Sequence, residues 1–195
     1  MLSRYEIKEV FVISSNDNFH KYVQENLPSH EYTVTGEAHS GTEARQKMIS
    51  KGYDVILVNI PLADESGTEF ASDLAENPAN TVVVIVKHEH EDEMRQNLEP
   101  CGVFVLGKPF AHTAFHQVMY DAAAAHIRMQ NAASENQRLQ TKLLDLRVIN
   151  RAKYTLIQYL GMTEDQAHKY IEQQAMNMRI SKRTAAENIL KTYEQ

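Results

Sequence analysis

The sequence predicts an α/β domain built on a doubly wound, five-stranded parallel sheet, followed by a coiled-coil helix and a small three-helix all-α domain. Three observations predict it. Over residues 9 to 126, short β-rich runs alternate with polar segments of helix length. Runs such as Val55 to Val58 and Val82 to Val86 are apolar on both alternating faces, as strands must be when helices cover both sides of a sheet. And no Gly or Pro occurs between Ala111 and Gly161, a helical stretch longer than a globular domain usually contains.

The elements follow in order. "EVFVIS", "YTVTG", "DVILVN", "TVVVIV" and "GVFVLG" are the five strands, and the segments between and after them supply five helices. In such a sheet, chemistry collects at the carboxyl ends of the strands, which here are Ser14 and Ser15, Asn59, Val86 and Lys87, and Lys108. Along the fifth helix, Met129, Ala132, Asn136, Leu139, Leu143 and Leu146 keep the three-four spacing of a coiled-coil seam, which predicts a homodimer. After Gly161, Thr163 caps a second helix and Gln166 reaches back in a capping box. Ser181 then caps a last helix whose Ala185, Ala186, Ile189 and Leu190 share one face. With Ala152, Leu156 and Leu160 from the first helix and Ala167, Ile171 and Ala175 from the second, these form a compact core. The predicted divisions are 1–126 for the α/β domain, 127–146 for the coiled-coil linker and 147–195 for the terminal unit.

Composition narrows the function. At 195 residues and 43% hydrophobic, the chain can bury a real core. Its longest apolar run, Val82 to Val86, is far too short to cross a bilayer, and "MLSRYEIKEV" is not an export signal, which places the protein in the cytoplasm. The single cysteine, Cys101, makes no disulfide, redox or zinc motif and reads as a packing residue. Net charge is −6, yet residues 147–195 carry 8 Lys and Arg against 5 Asp and Glu, so only the tail is basic and points to nucleic acid. "KHEHEDE" at 87 to 93 reads as a solvated loop, and "HTAFH" at 112 to 116 lacks the glutamate of a zinc protease. With no phosphate-binding glycine loop and no nucleophile elbow, nothing indicates an enzyme, a metal or a cofactor.

"YDVILVNIPLADESG" at 53 to 67 and "VLGKPF" at 105 to 110 make the first domain resemble the receiver domain of bacterial response regulators over about residues 8 to 126. In that family an acid pair after the first strand and an aspartate after the third hold Mg²⁺, and that aspartate accepts a phosphoryl group. Here Ser14 and Ser15 stand at the acid pair, Asp17 comes a few residues late, and Asn59 replaces the nucleophile. A neutral amide cannot form an acyl phosphate, and the metal loses its anionic oxygens. The hydroxyl that would sense the phosphate is missing too, since the fourth strand ends in Val86 and Lys87. Lys108 remains, placed to bond Asn59 or Ser14, and the resemblance implies a cis bond to Pro109. The expectation is a pseudo-receiver, read by a protein or small-molecule partner or serving as a dimer platform.

The tail is similar to the ANTAR domain of transcription antitermination regulators over about residues 146 to 192, on "RAKYTLIQYLGMTEDQAHKYIEQQAMNMRISKRTAAENIL". The resemblance implies a dimer that binds tandem stem-loops in nascent leader RNA. Arg151, Lys153, Arg179, Lys182 and Arg183 supply charge, Ala152 leaves room for close approach, and Gln173 or Gln174 can read base edges. Tyr154, Tyr159 and Tyr170 read as core or half-buried residues. Two rival readings are a DNA-binding regulator with a helix-turn-helix, weakened by a thin recognition face of Lys182, Arg183 and Lys191, and a signalling adaptor without nucleic acid.

Overall fold

Five strands carry the apolar runs: β1 (Lys8–Ser14), β2 (Tyr32–Ala38), β3 (Val55–Asn59), β4 (Val82–Lys87) and β5 (Phe104–Lys108). In the computed structural model, which describes residues 7–193, they form one parallel sheet in the order β2-β1-β3-β4-β5. Four helices alternate with them: α1 (Asp17–Asn26), α2 (Gly41–Ser50), α3 (Gly67–Glu76) and α4 (Glu91–Leu98). Then come α5 (His112–Leu160), α6 (Glu164–Met178) and α7 (Lys182–Tyr193). The chain parts into two units, residues 1–131 and 132–195, each with its own interior.

In the first unit, the alternation of each strand splits its side chains between two cores. Phe11, Ile13, Ile56, Val58 and Val84 pack with Phe70 and Leu74 of α3 and Met94 and Leu98 of α4. Val10, Val12, Leu57, Val83 and Ile85 pack on the other face with Phe19 and Val23 of α1 and Phe115, Met119 and Ala122 of α5. One close approach fixes the β1–β2 edge. Phe11 pairs with Gly36 where the register shifts after Val10, and a Cβ on Gly36 would lie 2.6 Å from the Tyr53 hydroxyl. A side chain there would break the stack of Phe11 on Tyr53, whose ring centres are 4.5 Å apart.

The register brings the strand ends together: Ser14 lies opposite Asn59, and Lys87 opposite Lys108. Both Ile60–Pro61 and Lys108–Pro109 are cis, the second as the receiver resemblance implied and the first unforeseen.

The second unit closes on Ala152, Leu156, Ala167, Ile171, Ala175, Ala185, Ala186 and Ile189. Its corners are capped as the sequence reads. Thr163 and Gln166 form the capping box of α6, and the Ser181 hydroxyl accepts the Thr184 amide at 3.0 Å. Leu160, expected in this core, is 45% exposed, because it falls at the end of α5 where Gly161 (φ 63) turns the chain. Cys101 is exposed and not a packing residue, since it ends the short turn after α4.

Candidate functional site

The carboxyl edge of the sheet holds a closed polar network. Ser14 and Asn59 end adjacent strands and are both buried, at 0% and 6% exposure. The Asn59 amide nitrogen donates to the Ser14 hydroxyl at 2.7 Å, and the Asn59 amide oxygen accepts from the Lys108 ammonium at 2.5 Å. The Ser14 hydroxyl also accepts the Asn16 amide at 3.0 Å. Burial, with Lys87 nearby, pulls the Lys108 ammonium below the ordinary lysine range. Ser15, exposed, lies 3.5 Å from the Pro61 carbonyl. Val86 is buried, and Lys87 points out to solvent beside Glu89 at 3.5 Å.

The neighbouring carboxylates are committed elsewhere. Asp17 opens α1 and faces the His39 ring at 3.1 Å. Asp64 accepts the Thr42 and Gly41 amides, each at 2.9 Å, at the start of α2, and these bonds hold its carboxyl down at about 2. Mg²⁺ takes hard oxygen ligands and favours carboxylates. The oxygens offered here are two serine hydroxyls and an amide oxygen already taken by Lys108, so these residues do not fit the ion.

Two buried histidines escaped the sequence reading. His20 approaches the Ser14 carbonyl with Nε2 at 2.9 Å, while its Nδ1 has no hydrogen-bond partner and lies 3.9 Å from the Glu37 carboxylate. His126, in the first third of α5, is 4% exposed and bridges Thr81 (3.2 Å) and Asp54 (2.9 Å). Asp54 in turn accepts the Glu9 amide at 2.7 Å. Burial lowers the His126 pKa and the Asp54 charge opposes that shift. Thr81 and His126, like Glu9 and Asp54, lie 45 residues apart in the chain, and no short motif announces them.

In the second unit the expected nucleic-acid residues divide. Lys153 is mostly covered and pairs with Glu164 at 2.9 Å. Lys182 pairs with Glu172 at 2.5 Å, and Arg183 bridges Asp145 and Glu187 at 2.9 Å each. Those partners hold Glu164 and Glu172 below the usual carboxylate range. Arg151 and Arg179 are exposed, and Gln174 is half-buried in a shallow hollow with Tyr170 and Met178. Two expectations are corrected. Ala152 is fully buried, so it belongs to the helix-packing face and cannot admit a base. Tyr154 and Tyr159 are 72% and 58% exposed, because α5 turns its Ala152–Leu156 face inward and leaves these rings outside. Tyr170 is half-buried, as read.

All six seam residues, Met129, Ala132, Asn136, Leu139, Leu143 and Leu146, are exposed on α5. Of "KHEHEDE", read as a loop, Lys87 ends β4, His88 to His90 form an exposed turn and Glu91 to Glu93 already belong to α4, while "HTAFH" opens α5 with the rings of His112 and His116 4.1 Å apart. Among the described residues, no helix is long and apolar enough to cross a membrane.

A parallel sheet in the β2-β1-β3-β4-β5 order, with a lysine at the end of β5 that reaches the end of β3, is the arrangement of a receiver fold. The response regulator receiver domain pattern matches residues 10–120, more than half of the chain, and the ANTAR domain pattern matches 137–190. The chain belongs to the response regulators, of the kind that carries an ANTAR domain. It is 26% identical over 168 residues to the transcriptional regulatory protein PdtaR of Mycobacterium tuberculosis, covering 86% of this chain and 82% of that protein. Among solved structures, it is similar to the signal receiver domain of an HD domain-containing protein from Pseudomonas fluorescens. That similarity has a TM-score of 0.58 at 16% identity and covers 67% of this chain and 96% of that one. A two-component response regulator from Clostridium difficile gives a TM-score of 0.52 at 21% identity, covering 64% and 98%. At these identities the structures attest the receiver fold alone.

Proposed function

We propose that this protein is an RNA-binding transcription antitermination regulator. As a dimer it binds tandem stem-loops in nascent leader RNA, and a partner or ligand at the receiver domain controls it in place of aspartyl phosphorylation. The observation that carries the reading is the ANTAR pattern over residues 137–190, laid on a three-helix unit with its own core. The basic balance of residues 147–195 supports nucleic acid as the partner, and the similarity to PdtaR, a transcriptional regulatory protein, supports transcription as the process. Control without phosphorylation is supported by the Ser14–Asn59–Lys108 network, which holds an amide where the chemistry needs a carboxylate. The working divisions are a pseudo-receiver at 1–126, a coiled-coil linker at 127–146 and the RNA-binding unit at 147–195.

The test compares full-length protein binding to RNA with two hairpins and to duplex DNA of the same sequence at one fixed salt concentration, because affinities at different salt cannot be compared. Preference for the RNA is expected. Equal affinity for the duplex overturns the reading and favours a helix-turn-helix regulator.

A further inference from the structure

Three of the basic residues expected to meet RNA form ion pairs within the chain: Lys153 with Glu164, Lys182 with Glu172, and Arg183 with Asp145 and Glu187. The outer face of α5 carries a second group of residues. Opposite the buried Ala152 and Leu156, the residues at i, i+3, i+4, i+7 and i+11 from Arg147 form one stripe: Arg147, Asn150, Arg151, Tyr154 and Gln158. All five are exposed, and none is acidic. Tyr154, at 72%, is the most exposed aromatic residue of the unit.

That combination has a chemistry. A ring offers a stacking platform for an unpaired base, guanidiniums meet phosphates, and side-chain amides pair with base edges. We propose that this stripe is a base-stacking surface for single-stranded RNA loops, with Tyr154 as the platform. The assignment rests on the RNA-binding reading above and names the surface that reads the loop. A second copy of the chain is a poor occupant, because two acid-free stripes carrying Arg147 and Arg151 repel each other. The apolar seam gives way here as well: Leu139, Leu143 and Leu146 are followed on that side of the helix by Arg147, Asn150 and Arg151. Duplex DNA is also a poor occupant, since its bases are stacked within the helix.

The chain contains no tryptophan, so Tyr154→Trp places a single indole on the proposed platform. Full-length Tyr154→Trp, titrated with the two-hairpin RNA, is expected to keep affinity within about threefold of the parent and to show quenched emission on binding. Tyr154→Leu is expected to lose about ten- to a hundredfold in affinity, with helical content and oligomeric state unchanged. RNA with its loops replaced by continuous duplex should leave the indole unquenched. If the parent binds the hairpins while Tyr154→Leu binds equally well, or the indole is unquenched, the proposal falls and the functional reading stands. Loss of the dimer in Tyr154→Leu overturns it in favour of a self-association face. A parent protein that binds no hairpin RNA overturns the functional reading and this surface with it.

Discussion

Arg179 caps α6 with φ 53 and ψ 42, the left-handed conformation in which glycine is the usual occupant. Its amide bonds the Ala175 and Met176 carbonyls, so the backbone must adopt this turn whatever the side chain. An arginine held there carries a conformational cost of about 1 kcal/mol, which argues that the guanidinium is used. Arg179→Gly should therefore raise stability by about 1 kcal/mol in urea unfolding while weakening RNA binding. A variant that is both more stable and fully active would show that the side chain has no role. At the phosphoacceptor edge, incubation with acetyl phosphate and Mg²⁺ should leave the intact mass unchanged. Ser14→Asp, Ser15→Asp and Asn59→Asp combined should restore a phosphoryl-sized gain, because the carboxylates supply both the metal ligands and the nucleophile. A gain in the parent protein would mean that Asp17 or Asp64 accepts the group. His126 gives a pH test. Its folded pKa lies below the ordinary 6.5, so below that value the unfolded chain binds the proton more readily than the folded one. Stability should hold above about 6.5 and decline as pH falls through the folded value, and His126→Gln should flatten that part of the curve in thermal melts. Ser14, Asn59 and Lys108 were legible because each ends a strand with an unmistakable apolar run. His20 and His126 were not, because what makes them matter is a partner brought in by the sheet.

At the scale of elements, β1, β3, β4 and β5 were readable because apolar runs of four or five residues, bounded by polar segments, are too short for helices. The length of α5 was readable from the absence of Gly and Pro between Ala111 and Gly161. Which face of α5 turns inward was harder. Ala152 and Tyr154 sit two residues apart, about 200° around the helix, and small residues such as alanine give a weak apolar signal beside a large ring. Ala152 packs as its place in the predicted core requires, which leaves no room for the close approach also read there, while Tyr154, read as core or half-buried, meets solvent. The exposed seam on the same helix supports a separate prediction. Leu139 and Leu143 are 50% and 58% exposed on this helix. Leu139→Asp with Leu143→Asp should give a monomer by light scattering, since two charges facing each other in a seam cost more than the pairing returns. A dimer that survives would place the contact on the receiver domain.

The whole molecule combines a net charge of −6 with a basic tail, and this sets how it meets a polyanion. Contacts with phosphates release counterions, so affinity should fall as salt rises, by about 0.7 in log K per log salt for each single-strand phosphate neutralised. In an evenly basic protein much of that loss appears in the association rate, because the long-range field steers the encounter. Here the acidic remainder of the chain, with 12 Lys and Arg against 21 Asp and Glu over residues 1–146, offsets the attraction of the tail at long range. At about 0.15 M salt the screening length is about 8 Å, so the contacts left to feel the RNA are those in direct reach. Raising salt should then weaken binding chiefly by speeding dissociation, with the association rate changing little. Stopped-flow or surface-based kinetics at a series of salt concentrations measures both rates. An association rate that falls steeply with salt while dissociation stays constant would mean that the basic tail alone steers the RNA and the acidic remainder has no influence on the encounter.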